Sequence, residues 1–296
     1  METHTKLAFD AIGTRWELLI DDAGSARRRP ALLQDVRTRI AAFDKTYSRF
    51  RPDSFVTALS QAAGTYVLPE DGYPLLQMYE KLYHATSGQV TPLIGRVMAD
   101  AGYDAAYTFS QKPLARPPRW EDVIVYDRQH ITLKKPALLD FGAAGKGYLV
   151  DILAGLLQEA GVQAFVINAG GDVLHRSDSG QSVKVGLENP LDSSEAIGVI
   201  SLESRSLCAS AGSKRQWQDM HHIISPTTLR PADRILASWV LAADTMTADG
   251  LATALFFTDP RRLSAQFSFA YATLDTQQEL VYSKDFPVQL FEAAHA

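Results

Sequence analysis

The chain has 296 residues, with 29 basic and 34 acidic side chains and a formal net charge of −5. This length fits one large domain or two modest domains of roughly 150 residues each. Hydrophobic residues make up 46% and charged residues 21%, which is close to average usage in globular domains and excludes a disordered or fibrous chain. The mild acidity and the lack of a basic segment argue against nucleic acid as a partner.

Three further classes are excluded by single features of the sequence. The one cysteine, Cys208, can form neither an internal disulfide nor a cysteine-rich zinc module. No stretch approaches the ~18 consecutive apolar residues that a membrane-spanning helix needs. Residues 1–10 have neither the basic start nor the apolar segment of a secretion signal, and we therefore expect a cytoplasmic protein.

Hydrophobic periodicity predicts secondary structure along the whole chain. Apolar residues at spacings of three and four indicate helices, whereas alternation of apolar and polar residues indicates strands. In chain order, the patterns predict a strand pair over residues 6–21, a helix over 31–43, a helix from Pro74 to Gly88 and a hairpin over 122–135. They continue with a helix over 147–160, a buried strand over 165–171, a meander of strands over 183–189, 196–204 and 206–211, a strand over 237–242, a helix capped by Thr247 and running to about Phe257, and a strand over 267–275.

The order of these elements also predicts the fold class. Long helices alternate with many short, hairpin-linked strands, which favours an α+β fold over a doubly wound parallel sheet. No linker of distinct composition divides the chain. We therefore expect a single unit over residues 1–296, with two lobes of mostly antiparallel sheet and packed helices.

The most unusual segment is LLDFGAAGKGYLVD, residues 138–151. Its Asp-Phe-Gly tripeptide occurs in kinases, but no His-Arg-Asp catalytic loop precedes it. Gly145-Lys146 imitates a P-loop, but the spacing from Gly142 is too short and Gly147 stands where Ser or Thr is needed. What remains is a glycine-rich turn that brings backbone amides and a lysine to a helix N-terminus, which favours anions and phosphate above all. A purely conformational strand-to-helix turn has the same pattern.

Three shorter segments contain candidates that also have a plain structural interpretation. Asp249 and Thr253 lie four residues apart on a predicted helix and share one face, which suits a hard cation such as Mg²⁺. An aspartate in a first turn also simply favours the helix dipole. His221 or His222 can act as a general base near neutral pH, or be an ordinary imidazole without a chemical role. The glycine turn NAGGD at residues 168–172 can be purely conformational.

Taken together, these segments form an ordered set of seven motifs. They are IGT at 12–14, SRFRPDS at 48–54, SGQVTPLIG at 87–95, DFGAAGKGYLVD at 140–151, NAGGD at 168–172, HIISP at 222–226 and ADGLAT at 248–253. The order resembles the ApbE-type flavin transferases (FAD:protein FMN transferases) over nearly the whole chain. The resemblance implies an FAD held in a cleft between the lobes, a Mg²⁺ on its diphosphate, and transfer of FMN to a threonine of a client flavoprotein.

The resemblance also implies roles for individual residues. The positions that match those around the FAD are Ile12, Gly13, Thr14, Phe50, Gln89, Val90, Thr91, Asp140 and Lys146. The backbone carbonyl of Ala143 and the side chains of Asp249 and Thr253 match the metal ligands. His222 matches the histidine that deprotonates the acceptor threonine.

This chain departs from the family pattern at four positions in or near these motifs. The family usually has His-Ile-Ile-Asp-Pro followed by Thr-Gly, whereas here Ser225 replaces the aspartate and Leu229 replaces the glycine. Val90 and Thr91 replace a Phe-Asp pair. We expect these changes to affect transfer and client choice more than FAD binding. Two other functions stay open: an FAD pyrophosphatase that uses water as the nucleophile, and a non-catalytic FAD-binding protein.

Overall fold

The computed structural model describes residues 4–21 and 29–291. The strands in these ranges are β1 His4–Ala11, β2 Thr14–Asp21, β3 Gly64–Val67, β4 Ile124–Tyr126, β5 His130–Leu133, β6 Ala164–Ala169, β7 Asp172–Ser177, β8 Val183–Asn189, β9 Asp192–Leu202, β10 Ser206–Ala211, β11 Gln216–Trp217, β12 Met220–His221, β13 Ile235–Ala242, β14 Ala270–Asp275, β15 Leu280–Tyr282 and β16 Val288–Leu290. The helices are α1 Arg29–Tyr47, α2 Phe55–Leu59, α3 Gly72–Ala85, α4 Gly95–Asp100, α5 Trp120–Val123, α6 Gly145–Glu159, α7 Thr245–Ala254 and α8 Pro260–Leu263. Two short 3₁₀ turns lie at Pro92–Ile94 and Gly212–Lys214.

The largest sheet in the described chain has the strand order β1-β2-β6-β7-β10-β13-β14-β15, and every neighbouring pair is antiparallel. One face packs against helices and contributes Leu18 and Ile167 to the main core, which also contains Leu153 of α6. The opposite face contributes Trp239 to a second core that it shares with Ile200 of β9. Helices on one face of an antiparallel sheet define the predicted α+β class, which is therefore confirmed.

Three smaller sheets accompany it in the described chain, one of which is the two-stranded pair β11-β12. Strands β16, β9 and β8 form an antiparallel sheet over the second core, and β3, β5 and β4 form another beside α3. A third apolar cluster joins Val97 and Met98 of α4 to Trp217 and Ile224 near the HIISP motif. This packing brings the motif next to α6 and α7, which carry the other candidate residues.

Most of the predicted elements are confirmed. In the β1–β2 hairpin, Ile12 and Gly13 have φ angles of 42° and 73°, so both turn residues are left-handed, as a tight two-residue hairpin turn requires. The predicted left-handed cap at Gly88 also occurs: its φ is 84°, and its amide donates to the Tyr83 carbonyl at 2.7 Å. Helix α6 begins at Gly145, two residues before the predicted start at residue 147.

The predicted N-cap of the last long helix is wrong. Asp244, and not Thr247, is the cap, because its carboxylate accepts the Thr247 amide at 2.8 Å. The helix starts earlier because Asp151 of α6 accepts the amides of Thr245 and Met246, each at 2.8 Å. These bonds satisfy the first free amides of α7 from a distant part of the chain, which no local pattern shows. The helix ends at Ala254 and not at residue 257.

The predicted meander is also wrong at its third strand. Strands β8 and β9 pair with each other, but β10 leaves them and lies between β7 and β13 in the large sheet. Leu207 and Cys208 are neighbours that point to opposite faces of β10, and both are buried. Burial on both faces is typical of a central strand, and the small sheet offers only one covered face.

No helix in the two described ranges is long and apolar enough to cross a membrane. The expectation that residues 1–10 are not a secretion signal concerns residues 1–3 as well, and these lie outside the described residues. The cytoplasmic location remains a prediction.

Candidate active site

A cavity of about 530 Å³ lies between the glycine turn before α6, helix α7, and the loops that carry the other motifs. The predicted site residues that line it are Ile12, Gly13, Phe50, Gln89, Val90, Thr91, Asp140, Ala143, Lys146, His222, Asp249 and Thr253. Thr14 does not line this cavity but a neighbouring one, where its side chain lies against Gly170 and leaves no room for a Cβ there. The fold thus brings residues from all seven motifs to one cavity, with Gly170 as the contribution of the NAGGD motif.

The glycine turn before α6 is held by bonds to protein acceptors. The buried Tyr79 hydroxyl accepts the amides of Ala143 at 3.0 Å and Ala144 at 3.2 Å. Gly142 donates its amide to Asp140 at 2.7 Å, and Gly147 donates to Asp249 at 2.8 Å. The expectation that this turn presents free amides to a phosphate is therefore wrong for these four positions. Here the turn contributes a fixed shape and a lysine.

Burial keeps the Tyr79 hydroxyl in its neutral form. Desolvation and, to a smaller extent, the negative charge of Asp140 raise the pKa of Tyr79 well above its usual value. The tyrosine therefore holds the turn as a neutral hydroxyl at any physiological pH. It was missed in the sequence because it lies on the buried face of α3, where an aromatic residue at helical spacing reads as core.

Lys146 occupies a corner of the cavity with two buried carboxylates. Its amino group forms an ion pair with Asp172 and lies 4.0 Å from Oδ1 of Asp249. Burial raises the pKa of Asp249, and the nearby Lys146 charge and the Gly147 amide act in the opposite direction. The Arg215 charge acts on Asp249 more weakly, so Lys146 is the one cation at ion-pair distance from the two carboxylates, which leaves room for an additional cation.

The residues around this corner fit a magnesium ion. Asp249 and Thr253 are one turn apart on α7, and both line the cavity together with Ala143. Carboxylate, hydroxyl and carbonyl oxygens are hard donors, and Mg²⁺ takes few protein ligands and keeps the rest of its shell for waters and substrate phosphates. Across residues 4–21 and 29–291, no group of three His, Cys, Asp or Glu side chains forms a complete metal site. One carboxylate, one hydroxyl and one carbonyl suit a metal that is shared with a phosphate substrate.

Arg49 was not identified from the sequence, although the SRFRPDS motif contains it. Its Nε donates to Asp140 at 2.5 Å and its Nη1 to the Tyr103 carbonyl at 2.6 Å. Its Nη2 is buried and has no partner among the described residues. The guanidinium also lies 4.2 Å from the Phe50 ring centre. A fixed arginine with one unused donor at a cavity wall is suited to an anion.

Aromatic side chains form another part of the wall. The Phe50 and Tyr107 rings stack at 5.2 Å with an interplanar angle of 4°, and Tyr103 stacks on Trp217 at 5.4 Å. Phe50, Tyr103 and Tyr107 line the cavity. Flat apolar rings of this kind suit a planar ring system in the ligand.

His222 lies at the cavity with an unusual environment. Its side chain is half-buried overall, while its Nδ1 is fully buried and has no partner in the part of the chain that the structure describes. Burial, followed by the Arg215 charge, lowers the pKa of His222 to about 3. The imidazole is therefore neutral near pH 7, and the same burial and Arg215 charge make it a weaker base than an exposed histidine.

His221 has a different environment, which separates the two candidate histidines. Its Nε2 is 2.9 Å from the Ala232 carbonyl, and its Nδ1 accepts the Ile223 amide at 3.2 Å. Both ring nitrogens are thus engaged by backbone groups. The geometry favours a structural role for His221 and leaves His222 as the candidate base.

Two of the departures from the family pattern, Ser225 and Leu229, lie in the loop that carries HIISP. The Ser225 hydroxyl accepts the amides of Thr227 and Thr228 at 3.3 and 3.2 Å, as an aspartate does in an Asx turn, and donates to Gln89 at 2.9 Å. Leu229 has a φ of 59°, so it adopts the left-handed conformation that a glycine takes without strain. The loop therefore contains a turn that the Ser225 side chain caps and a left-handed residue at Leu229.

The comparisons with known proteins agree with this geometry. The sequence profile described as the ApbE family matches residues 12–271. The chain belongs to the ApbE family. Among curated relatives in this ApbE family, the FAD:protein FMN transferase of Escherichia coli (strain K12) is 24% identical over 284 residues, covering 87% of this chain and 79% of that protein. The FAD:protein FMN transferase of Klebsiella pneumoniae (strain 342) is 24% identical over 282 residues, covering 88% and 80%.

Solved ApbE structures have the same fold. The ApbE protein from Thermotoga maritima superposes with a TM-score of 0.84 at 20% identity, covering 96% of this chain and 98% of that chain. The flavin transferase ApbE from Vibrio cholerae has a TM-score of 0.78 at 19% identity, covering 97% and 99%. The resemblance stated from the seven motifs is thereby confirmed.

Proposed function

We propose that this protein transfers the FMN moiety of FAD to a threonine hydroxyl of a client flavoprotein, with Mg²⁺ and with release of AMP. The curated relatives are named FAD:protein FMN transferases, which supports flavin transfer and confirms the sequence-based prediction of a transferase. The single observation that carries the proposal is one cavity that combines a neutral histidine, His222, with the Lys146–Asp172–Asp249 corner.

The negative charge of the FAD diphosphate determines which groups the cavity must supply. Phosphoryl transfer depends mainly on positioning and on neutralisation of developing negative charge. The unused Nη2 donor of Arg49 and the amino group of Lys146 lie at the cavity wall and would contact the FAD diphosphate. Asp249, Thr253 and the Ala143 carbonyl would hold Mg²⁺, which, when bound, supplies positive charge to the diphosphate.

The reaction balances with these residues. The threonine oxygen forms a bond to the FMN phosphorus, and the bond from that phosphorus to the bridging oxygen of the diphosphate breaks. AMP leaves with the bridging oxygen, and the threonine proton passes to His222, which is neutral before the reaction. The product is a phosphoester between FMN and the client.

Mass spectrometry tests this proposal. The purified protein is mixed with FAD, Mg²⁺ and a candidate client flavoprotein, and the same client with its threonines replaced by valine is the control. A mass gain equal to FMN on the first client alone supports transfer. Free FMN and AMP without a labelled client indicate FAD hydrolysis, and unchanged FAD indicates binding only. Either of these two results contradicts the proposal.

A further inference from the structure

A second cavity of about 720 Å³ adjoins the first one. The residues that line both cavities are Gly13, Gly170, Ala209, Ser210, Ala211, Lys214 and Arg215. The two spaces therefore lie side by side along a shared wall. The first cavity is the proposed place of FAD, so the second is available to the other substrate.

The second cavity has the shape of a groove between two sheets. Its floor is the outward face of β2 and β6, where Leu19 pairs with Val166 and Glu17 pairs with Asn168. These four side chains are half-buried. Its wall is β8, of which residues 183–186 line the groove.

Strand β8 is an edge strand in the described chain. The order of the small sheet is β16-β9-β8, so β8 pairs with β9 on one side and with no strand of the described residues on the other. An open edge presents a row of unpaired amides and carbonyls, to which an extended peptide can add as a further strand. The groove therefore combines a floor of mixed apolar and polar side chains with a backbone edge, as peptide-binding grooves of this type do.

The charges of the groove favour an acidic occupant. Glu188 is paired with Lys214 at 2.5 Å, and Glu17 is paired with Lys6 at 3.3 Å. Lys184 and Arg215 make no side-chain hydrogen bond or ion pair with the described residues, and both line the groove. The acidic side chains are thus neutralised, and two positive charges are left over for a ligand.

We propose that this groove is the docking site of the client: an acidic, extended segment next to the acceptor threonine lies as a strand beside β8. The inference rests on the proposed function. Arg215 lines both cavities, and its carbonyl accepts the His222 amide at 3.2 Å. A segment that follows β8 to the Arg215 end of the groove therefore brings its threonine to the candidate base.

Peptide binding tests the charge of the occupant. Three labelled peptides of about twelve residues have one central threonine flanked by glutamate, by serine or by lysine, and fluorescence anisotropy measures their affinity in the presence of FAD and Mg²⁺. We expect the acidic peptide to bind about tenfold more tightly than the neutral one. Lys184→Glu should remove this preference and favour the lysine peptide. Lys135→Glu changes an exposed lysine outside the groove and should have no effect.

A steric variant tests the position of the groove. A Cβ at Gly186 meets only the Ala196 Cβ at 3.5 Å, an ordinary contact, so Gly186→Tyr should fold and obstruct the groove. Gln289→Tyr adds the same side chain to an exposed position of β16, at the far side of the small sheet from β8, and is the control. We expect about a tenfold or larger loss of peptide affinity in the first variant only, with FAD affinity unchanged in both.

The outcomes separate this inference from the proposed function. Equal affinity for the three peptides, no binding of any of them to the wild-type chain, or full binding by Gly186→Tyr overturns the groove as the docking site. Labelling of a client by wild-type protein in the mass-spectrometry assay would still stand in each case. Lys184-dependent binding of the acidic peptide, without FMN transfer to any client, supports the groove and contradicts transfer.

Discussion

The backbone amide of Gly147 donates to the Asp249 carboxylate across 2.8 Å, although the two residues are 102 positions apart. This bond joins the start of α6 to α7 and fixes Lys146, the neighbour of Gly147, close to Asp249. The approach requires a glycine, because a Cβ at residue 147 would lie 2.7 Å from the Asp249 Cβ and would overlap the Thr245 carbonyl. The candidate metal corner therefore depends on how closely two helices pack.

Gly147→Ala should separate these helices. Overpacking of this kind costs about 1–3 kcal/mol in the free energy of unfolding, and flavin transfer should fall as well because the corner is displaced. Gly155→Ala in the same helix is the matched control, since a Cβ there meets nothing within 4 Å. The control should be neutral or stabilising by about 0.5–1 kcal/mol. Urea unfolding of both variants measures the difference, and equal stabilities would contradict the packing argument.

Asp249→Ala should abolish most of the Mg²⁺ dependence of transfer, because Asp249 is the single carboxylate assigned to the metal. Asp249→Asn keeps the shape but not the charge, and we expect partial recovery of activity at high Mg²⁺. The helix should persist, since alanine is a better helix former than aspartate. Initial rates over a Mg²⁺ titration measure the effect. A folded Asp249→Ala protein with normal Mg²⁺ dependence would place the metal elsewhere.

The two neighbouring histidines should behave differently when replaced. His222→Ala should lower transfer by about 10²–10⁴-fold with little change in FAD affinity, the usual size of a general-base contribution. His221→Ala should mainly lower stability, because both of its ring nitrogens bind backbone groups. Steady-state kinetics, FAD titration and thermal unfolding distinguish the two effects. If both variants lose transfer equally, His222 is not the base.

Arg215→Gln should raise the pKa of His222. The Arg215 charge disfavours the imidazolium and is, after burial, the next cause of the low pKa of about 3. The shift should be partial, because the burial remains. Lys214→Gln is the control, since Lys214 is paired with Glu188 and is not among the causes of the shift. Histidine ring chemical shifts followed over a pH titration by NMR give both values, and an unchanged His222 in Arg215→Gln would contradict the proximity of the two charges.

The same pKa predicts how stability depends on pH. The folded-state pKa of His222, about 3, is below the usual value of 6.5. Between these two pH values the unfolded chain binds a proton that the folded chain does not, so His222 lowers the free energy of unfolding as the pH falls from 6.5 towards 3. His222→Asn should make the loss of stability between pH 7 and pH 5 smaller. Chemical unfolding at both pH values measures it, and an unchanged pH difference would argue against a buried neutral histidine.

Local sequence patterns predicted much of the fold. The β1–β2 hairpin and helix α6 follow from alternation, from helical spacing and from turn residues within a few positions of each other. The local pattern failed where residues far along the chain determine the start of a helix or the pairing of a strand. Helix α7 begins at Thr245 because Asp151 binds its first amides, and β10 joins the large sheet because both of its faces are covered there.

The candidate site was only partly predictable for the same reason. Asp172 and Arg49 lie inside quoted motifs, but their importance depends on partners far along the chain, Lys146 and Asp140. No sequence pattern marked Tyr79 as a site residue, because an aromatic residue on the buried face of a helix is typical of the core. A buried charge needs a partner. Asp172 follows a predicted buried strand and Arg49 follows a predicted helix, so their places in the sequence could have indicated that each needs a partner.

The sequence by itself determined the α+β class, the family and the residues that carry its motifs, because secondary structure and motif order depend on near neighbours and on chain order. The tertiary structure alone decided which of these residues share a cavity and that the turn amides bind Tyr79, Asp140 and Asp249. It also decided that β8, within the described part of the chain, has a free edge beside the second cavity. These relationships join residues far apart along the chain. Their distances are set by how sheets and helices pack, which periodicity and spacing do not encode.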